Sequence, residues 1–324
     1  KAHPTVGESA DFVMYWWDMA ASRLSTKPSH LKRFGFVTTN SITQVFNRRV
    51  VERFLTSNSP VSILLAIPDH PWTRVTKDSA AVRIAMTIVQ AGTQEGTTSE
   101  IISESGLDTD EPVLVFESRR GTINSDLSVG VDVSRCQDLI ANDGMSCNGM
   151  MLAGRGFVLG GKEAALLNNS SPWLKNSVVK PYLSGGELLR TWSGRYVIDL
   201  FGLSAEEARD LHPTLYQHLL RTVKPERDTN RRPAFKNRWW VFGEPRKSFR
   251  PALRDIAKYI GTTETAKHRV FQFIDASYVP DHMIIAIASD DAFHLGVLSS
   301  HIHVAWALKS GGWLGVGNDP RYSK

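Results

Sequence analysis

The run Val61-Ser62-Ile63-Leu64-Leu65-Ala66-Ile67 limits the fold more than any other stretch of the chain. Consecutive apolar positions in a strand point to opposite faces, so this strand needs cover on both sides. Pro68 and Pro71 are expected to close it. Before it, Phe34-Gly35-Phe36-Val37 reads as a short strand that runs into the polar stretch Thr38-Thr39-Asn40-Ser41, and a helix bearing Arg48, Arg49 and Arg53 fills the gap. Upstream, Ser9 is placed to cap a helix over residues 11–24, rich in Phe12, Tyr15, Trp16 and Met19 and stopped by Lys27-Pro28-Ser29. Further strands are expected over residues 82–89 and 112–116. Strand, helix and buried strand in succession predict an α/β class with a mostly parallel sheet.

The texture changes near Cys147. Gly149, Gly154, Gly156, Gly160 and Gly161 punctuate a loop-rich stretch where the alternation stops. Ser204-Ala205-Glu206-Glu207 fits a capping box, with Pro213 interrupting or restarting the helix that follows. Ser248 is placed to cap a helix reaching Tyr259. Residues 269–274 and 283–288 read as strands, and residues 290–308 as one helix. This is a second, α+β domain. A length of 324 residues suits two domains, set here at 1–135 and 136–324.

Charge separates the two parts further. Residues 221–269 hold 14 Lys/Arg against 5 Asp/Glu, an excess of nine positive charges, while the rest of the chain is net negative and the whole is only +5. A concentrated basic segment points to a polyanion, most simply nucleic acid; a well-solvated basic surface is the plainer alternative. With two cysteines, Cys136 and Cys147, neither a disulfide framework nor a zinc site is expected, which suits a reducing cytoplasm. No apolar run reaches the roughly 20 residues that span a bilayer, and no signal-peptide pattern is seen, so no membrane partner is expected. Lys1 without a methionine and Lys324 after a Gly-rich turn read as the ends of a fragment.

Few residues announce chemistry. In open α/β sheets ligands gather beyond the carboxyl ends of strands. Two polar stretches fall there: Thr38-Thr39-Asn40-Ser41 and Pro68-Asp69-His70-Pro71-Trp72. Asp69 and His70 have the groups for acid–base work or for holding a ligand; the alternative is a Pro-bounded turn with a helix-capping Asp. Gly160-Gly161-Lys162 lacks the spacing of a phosphate loop. His301 and His303, two apart in a helix, face different ways, so no metal site is expected with His294. No catalytic set is complete. The basic segment is richer. Asn230-Arg231-Arg232-Pro233-Ala234-Phe235-Lys236-Asn237-Arg238-Trp239-Trp240 interleaves cations with rings, as phosphate contact and base reading both require. Arg250, Arg254 and Lys258 recur every four residues and would form a cationic helix stripe. The alternative is a solvated face with Trp239 and Trp240 in the core.

Several stretches match one family in order: Ala10-Asp11-Phe12-Val13-Met14-Tyr15-Trp16-Trp17, Arg33 through Gln44, Ala66-Ile67-Pro68-Asp69-His70-Pro71-Trp72, Trp239 through Arg246, Thr265 through Phe271, Leu295 through His303 and Gly315 through Tyr322. Together they resemble the large adenine-specific (N6) DNA methyltransferases of type IIG-like restriction–modification and phage-defence systems. The resemblance implies the back half of a Rossmann-like methyltransferase domain that uses S-adenosylmethionine, followed by a DNA target-recognition domain. Asp11, Trp16 and Thr39 would then belong to the cofactor and base pocket, and Arg231, Arg232, Lys236, Arg238, Arg246, Arg250 and Arg254 would contact double-stranded DNA. A nuclease domain or subunit could lie outside this stretch.

The departures carry weight too. The family's Gly-rich cofactor loop and its (Asn/Asp)-Pro-Pro-(Phe/Tyr) motif are both missing; Asn318-Asp319-Pro320-Arg321-Tyr322 lacks the double proline. In the family's order both precede Lys1, so no catalytic residue is assigned and this chain alone is expected not to methylate DNA. The other readings are a nucleic-acid-binding module without catalysis, and an interaction domain whose basic face meets an acidic protein.

Overall fold

Met14, Trp17, Ala21 and Leu24 recur at spacings of three and four, which places them on one face of helix α1 (Val13–Ser25), and all four are buried. Trp17 meets Phe34 and Phe54 edge-on or tilted, with ring centroids 5.4 and 5.9 Å away. Phe34 comes from strand β1 (Arg33–Thr39) and Phe54 from helix α2 (Val45–Leu55), so one side chain ties three elements together. The computed structural model describes the chain apart from residues 1–2, 73–81, 108, 110, 134–135, 138, 168–176, 315–318 and 324. It divides into two units, Lys1–Gln137 and Asp138–Lys324.

In the first unit the remaining strands are β2 (Val61–Pro71), β3 (Arg83–Ala91), β4 (Gly96–Ser105) and β5 (Val113–Gly121). Their order in the sheet is β1-β3-β2-β4-β5. Only β2 and β4 run parallel as neighbours; β1·β3, β2·β3 and β4·β5 are antiparallel. The expectation of a mostly parallel sheet is therefore corrected. The strand–helix–strand unit β1-α2-β2 does give parallel strands, but β3 lies between them. Parallel neighbours need a crossover of about a dozen residues or more, usually a helix, whereas antiparallel neighbours such as β2 and β3 need none. Strand β4, with its Thr- and Ser-rich sequence, escaped the apolar pattern. It approaches β2 closely at Gly96, where a Cβ would fall 2.2 Å from the Ile63 carbonyl oxygen.

Of the two prolines expected to close β2, Pro71 is its last residue but Pro68 does not end it. The strand runs through Pro68 to Pro71, with an irregularity between Ile67 and His70 and Asp69 at φ +53°. A bulge lets proline sit in a strand because the missing N–H falls where the ladder is already broken.

Among the described residues the second unit contains two four-stranded sheets and a short pair. One sheet is ordered β11-β10-β13-β6 and the other β12-β8-β9-β7. Their strands are β6 (Ser146–Asn148), β7 (Val158–Leu159), β8 (Val179–Leu183), β9 (Tyr196–Ile198), β10 (Lys258–Thr263), β11 (Gln272–Asp275), β12 (Val279–Pro280) and β13 (Ile284–Ile287). The pair is β14 (Gly312–Leu314) with β15 (Asp319–Arg321). Residues 315–318, within the last family-like stretch, lie outside the described residues.

Its helices are α3 (Gly161–Leu167), α4 (Ala205–Leu211), α5 (Pro213–Thr222), α6 (Lys224–Asp228), α7 (Pro233–Asn237), α8 (Ala292–Ser299) and α9 (His301–Ser310). The expected capping box starts α4: Ser204 accepts from the Glu207 N–H and Glu207 from the Ser204 N–H. Pro213 begins α5. The single helix expected over residues 290–308 is instead broken at Ser300, whose hydroxyl accepts from the His303 N–H and starts α9. The helix expected from Ser248 to Tyr259 is absent. A single short turn, Arg250–Leu253, is followed by strand β10 from Lys258, so the proposed stripe of Arg250, Arg254 and Lys258 does not exist. Tyr259 and Ile260, both fully buried, serve opposite faces of β10, and burial on both faces overrode the four-residue charge spacing. No described helix is long and apolar enough to cross a membrane.

Candidate functional site

Because β1 and β2 are both antiparallel to β3, their carboxyl ends lie at the same end of the first unit's sheet. There Asp11, just before α1, is bonded to the loop after β1. Ser41 Oγ donates to Asp11 Oδ2, and Thr39 Oγ1 lies 3.4 Å from the same oxygen. The Asp11 N–H donates to Asn47 Oδ1 at 2.8 Å, and Asn47 Nδ2 donates to the Ser41 carbonyl at 2.9 Å. Asp11 and Thr39, singled out from sequence, are thus brought together. Trp16 is on the outward side of α1, about half exposed, and meets Phe12 edge-on at 6.2 Å. Both rings face out because positions 14, 17, 21 and 24 take the buried side.

A second set of bonds lies at the same end. Asn40 Nδ2 donates to Asp69 Oδ1 at 3.0 Å, and the Asp69 N–H donates back to Asn40 Oδ1 at 2.9 Å. Arg83, at the start of β3, donates to Asp69 at 3.0 Å and to Glu104, near the end of β4, at 2.9 Å. The hydrogen bond between Arg83 and Glu104 is the main reason that the guanidinium is held above, and the carboxyl below, its usual range. His70 stacks on Phe116 at 6.2 Å, and its Nδ1 donates to the Pro71 carbonyl at 2.8 Å. Asp69 caps no helix; it fixes Asn40. Asn47, Arg83 and Glu104 had no sequence signal: Arg83 and Glu104 meet only through strand register, and Asn47 reaches Asp11 and Ser41 only because α2 packs beside them. A cavity of about 130 Å³ near Ser62, Gln94 and Asn124 opens at the amino end of β2 and takes no part in this cluster.

The basic segment of the second unit divides by partner. Arg231, Arg232, Lys236 and Arg238 are exposed on and around α7, whose start is set by Pro233. Arg254 is exposed after the short turn. Arg246 donates from Nε to the Gly149 carbonyl at 2.9 Å and pairs with Glu244 at 2.6 Å. Arg250 is engaged most completely. Two of its nitrogens reach Asp199 at 2.7 and 3.0 Å, its Nε donates to the Pro245 carbonyl at 2.7 Å, and it covers the Phe201 ring at 4.3 Å. Burial alone would raise the Asp199 pKa, but Arg250 and Lys180 pull it below the usual carboxylate range. Four of the seven cations picked from sequence therefore share one exposed segment, and two are held in ion pairs. Trp239 is buried against Tyr216, centroids 5.1 Å apart, and Trp240 Nε1 donates to the Leu203 carbonyl at 3.0 Å, so both tryptophans pack inward.

His294 bonds Ser289 Oγ at 2.7 Å, and His303 bonds the Tyr322 hydroxyl at 3.0 Å. Among the described residues no group of three or more His, Cys, Asp or Glu is placed to hold a metal.

A family model described as the target recognition domain of MmeI matches residues 132–324. Among solved structures the chain is similar to that of the type IIL restriction–modification enzyme MmeI in complex with DNA, with a TM-score of 0.71 and 21% identity; the match covers 96% of this chain and 40% of that one. A second structure, the type IIG restriction endonuclease BpuSI, matches with a TM-score of 0.27 and 11% identity over 90% of this chain and 39% of that one. No curated protein sequence matches. The chain thus spans less than half the length of the solved structures it matches.

Proposed function

The chain belongs to the MmeI target recognition domain family, and on that premise we propose that it is part of a restriction–modification enzyme. In this reading its second unit recognises a DNA sequence and its first unit carries part of an adenine-N6 methyltransferase domain. The observation that carries the reading is the family match itself, because the basic segment falls inside the matched residues. Arg231, Arg232, Lys236 and Arg238 supply exposed positive charge with no carboxylate partner among the described residues. Such charge draws a duplex by displacing its counterions. Arg254 is available in the same way, whereas Arg246 and Arg250 would act from their ion pairs as supports of the surface. The similar MmeI structure holds DNA, which agrees with this partner.

The methyltransferase part rests on the strand-end cluster and on the edge of the sheet. Asp11 already accepts hydroxyls from Thr39 and Ser41, and accepting hydroxyls is the chemistry a ribose asks for. Phe12 and Trp16 offer exposed ring faces suited to a purine. These residues fit S-adenosylmethionine, which when bound supplies the methyl group; Asp11, Trp16 and Thr39 would hold its adenosine part. Strand β1 ends the sheet's order, and Val37 on it, like Phe46 on α2, is more than half exposed. Bare edges and apolar faces are normally protected, so the exposure fits a domain completed by further chain, which would also supply the missing catalytic motif. A nuclease would be separate again, and the enzyme would act on cytoplasmic DNA.

The test is a titration of the purified chain into a labelled mixed-sequence duplex at several salt concentrations. Binding that weakens steeply with salt is expected; no binding at low salt would remove the recognition reading.

A further inference from the structure

The exposed cations are not equivalent. Arg227, on α6, is almost wholly buried. Its Nη2 donates to the carbonyls of Leu152 at 2.8 Å and Val241 at 3.1 Å, and its Nη1 lies 3.4 Å from the Phe235 carbonyl. The guanidinium lies over the Phe235 ring, 4.8 Å from the centroid, and burial lowers its pKa. On the same ring sits a second guanidinium, that of Arg232, at 5.4 Å. One aromatic ring therefore carries two cations, one buried and one exposed.

Close neighbours and bonded backbone lie around this ring. Gly243 makes room for it: a Cβ there would fall 2.9 Å from Phe235 Cζ and 2.8 Å from Ala153 Cβ. The Gly243 N–H donates to the Leu152 carbonyl, the same oxygen that accepts from Arg227. The backbone of Arg232 is fixed as well. Its N–H donates to Asn230 Oδ1 at 2.9 Å, and its carbonyl accepts from the Phe235 N–H at 3.0 Å. Arg232 thus has a fixed backbone and a guanidinium seated over a ring, and no carboxylate among the described residues takes up its donors. Among the described residues nothing comparable holds the side chains of Arg231, Lys236 or Arg238.

A guanidinium seated on a ring has its planar N–H fork partly pre-organised and loses less freedom when it binds. Such a fork suits an acceptor with two adjacent atoms: the O6/N7 edge of a guanine or a pair of phosphate oxygens. We propose that Arg232, held on Phe235 above the buried Arg227, is the directional anchor of the DNA-binding surface and makes a two-point contact with one such acceptor, while Arg231, Lys236 and Arg238 contribute diffuse charge. This rests on the DNA-recognition reading and deepens it. Phe235 is then a positioning residue.

The test uses the 324-residue chain, a randomised duplex pool and the duplex selected from it, with Arg232→Ala, Arg232→Lys, Phe235→Leu and Arg231→Ala variants. Arg232→Ala and Arg232→Lys should each weaken binding of the selected duplex by about 5- to 150-fold, since lysine keeps the charge but not the fork. Arg231→Ala should weaken it far less. Phe235→Leu should lose affinity for that duplex while its salt dependence stays that of the parent, because no charge is removed. A guanine contact will appear as relaxed preference at one base pair; a phosphate contact will weaken all sequences alike and lower the salt slope by about one in the Arg232→Ala variant. Either assigns the anchor. Arg232→Lys binding as well as the parent, or Arg232→Ala no weaker than Arg231→Ala, overturns the proposal and leaves DNA recognition standing. A parent chain that binds no duplex overturns both. Arg232 is exposed, so its variants should melt with the parent; if Phe235→Leu unfolds, the lysine variant decides alone.

Discussion

Arg250 places two guanidinium nitrogens 2.7 and 3.0 Å from the carboxylate of Asp199, whose side chain is only 2% exposed. The pair joins the turn before β10 to the end of β9 across 51 residues of chain. It turns an arginine that looks like a DNA contact in the sequence into a brace.

Breaking that brace should cost more than removing any surface cation. Arg250→Met strands a buried carboxylate, with Lys180 the remaining cation at 3.6 Å. Losing one partner of a buried pair typically costs about 3–5 kcal/mol. Urea denaturation should show that loss for Arg250→Met, and an unchanged midpoint would show that Asp199 is neutralised some other way.

The same carboxylate sets a response to acid. Its folded pKa is depressed below its unfolded value of about 3.9, so it contributes stability above that value. The contribution is lost as pH falls from there through the folded pKa. Glu187, held below the usual range despite burial by bonds from Ser184, Ser193 and Arg195, acts in the same direction. Stability of the parent chain should therefore fall steeply below about pH 4, and Asp199→Asn should flatten that fall while lowering stability at neutral pH.

Trp239 and Arg231 lie eight residues apart and should behave oppositely. Trp239→Ala empties a buried site packed on Tyr216 and Trp240 and should cost about 3–5 kcal/mol. Arg231→Ala should leave the melting temperature within about a degree or two, since surface changes stay near ±0.5 kcal/mol, and should weaken duplex binding modestly. Calorimetry and a binding titration on the two variants separate these outcomes.

The isolated chain should transfer no methyl group from labelled S-adenosylmethionine to duplex DNA, because the motif that receives the adenine amine is not among its residues. Incorporated label above the level of a no-protein control would show that this chain holds a complete site.

What the sequence by itself determined is local. Ser204 and Glu207 begin α4 as a capping box because both partners lie within four residues. The apolar run from Val61 forms a strand, helix α1 buries its three–four face, and the tryptophans of the basic segment pack inward because rings of that size leave water strongly. The excess of charge over residues 221–269 also persists as four exposed cations around α7. Tertiary structure decided everything that joins distant residues. The bonds from Thr39 and Ser41 to Asp11 follow from where α1 packs beside the end of β1, and the insertion of β3 between β1 and β2 and the Arg83 bridge from Asp69 to Glu104 follow from strand register. Neither propensity nor spacing encodes register, since it depends on which faces find cover. Likewise Arg250 and Arg232 read alike in the chain. Only the fold gave one a buried carboxylate and the other an aromatic seat facing solvent, because a cation's role is fixed by the partner that the fold brings within a few ångströms of it.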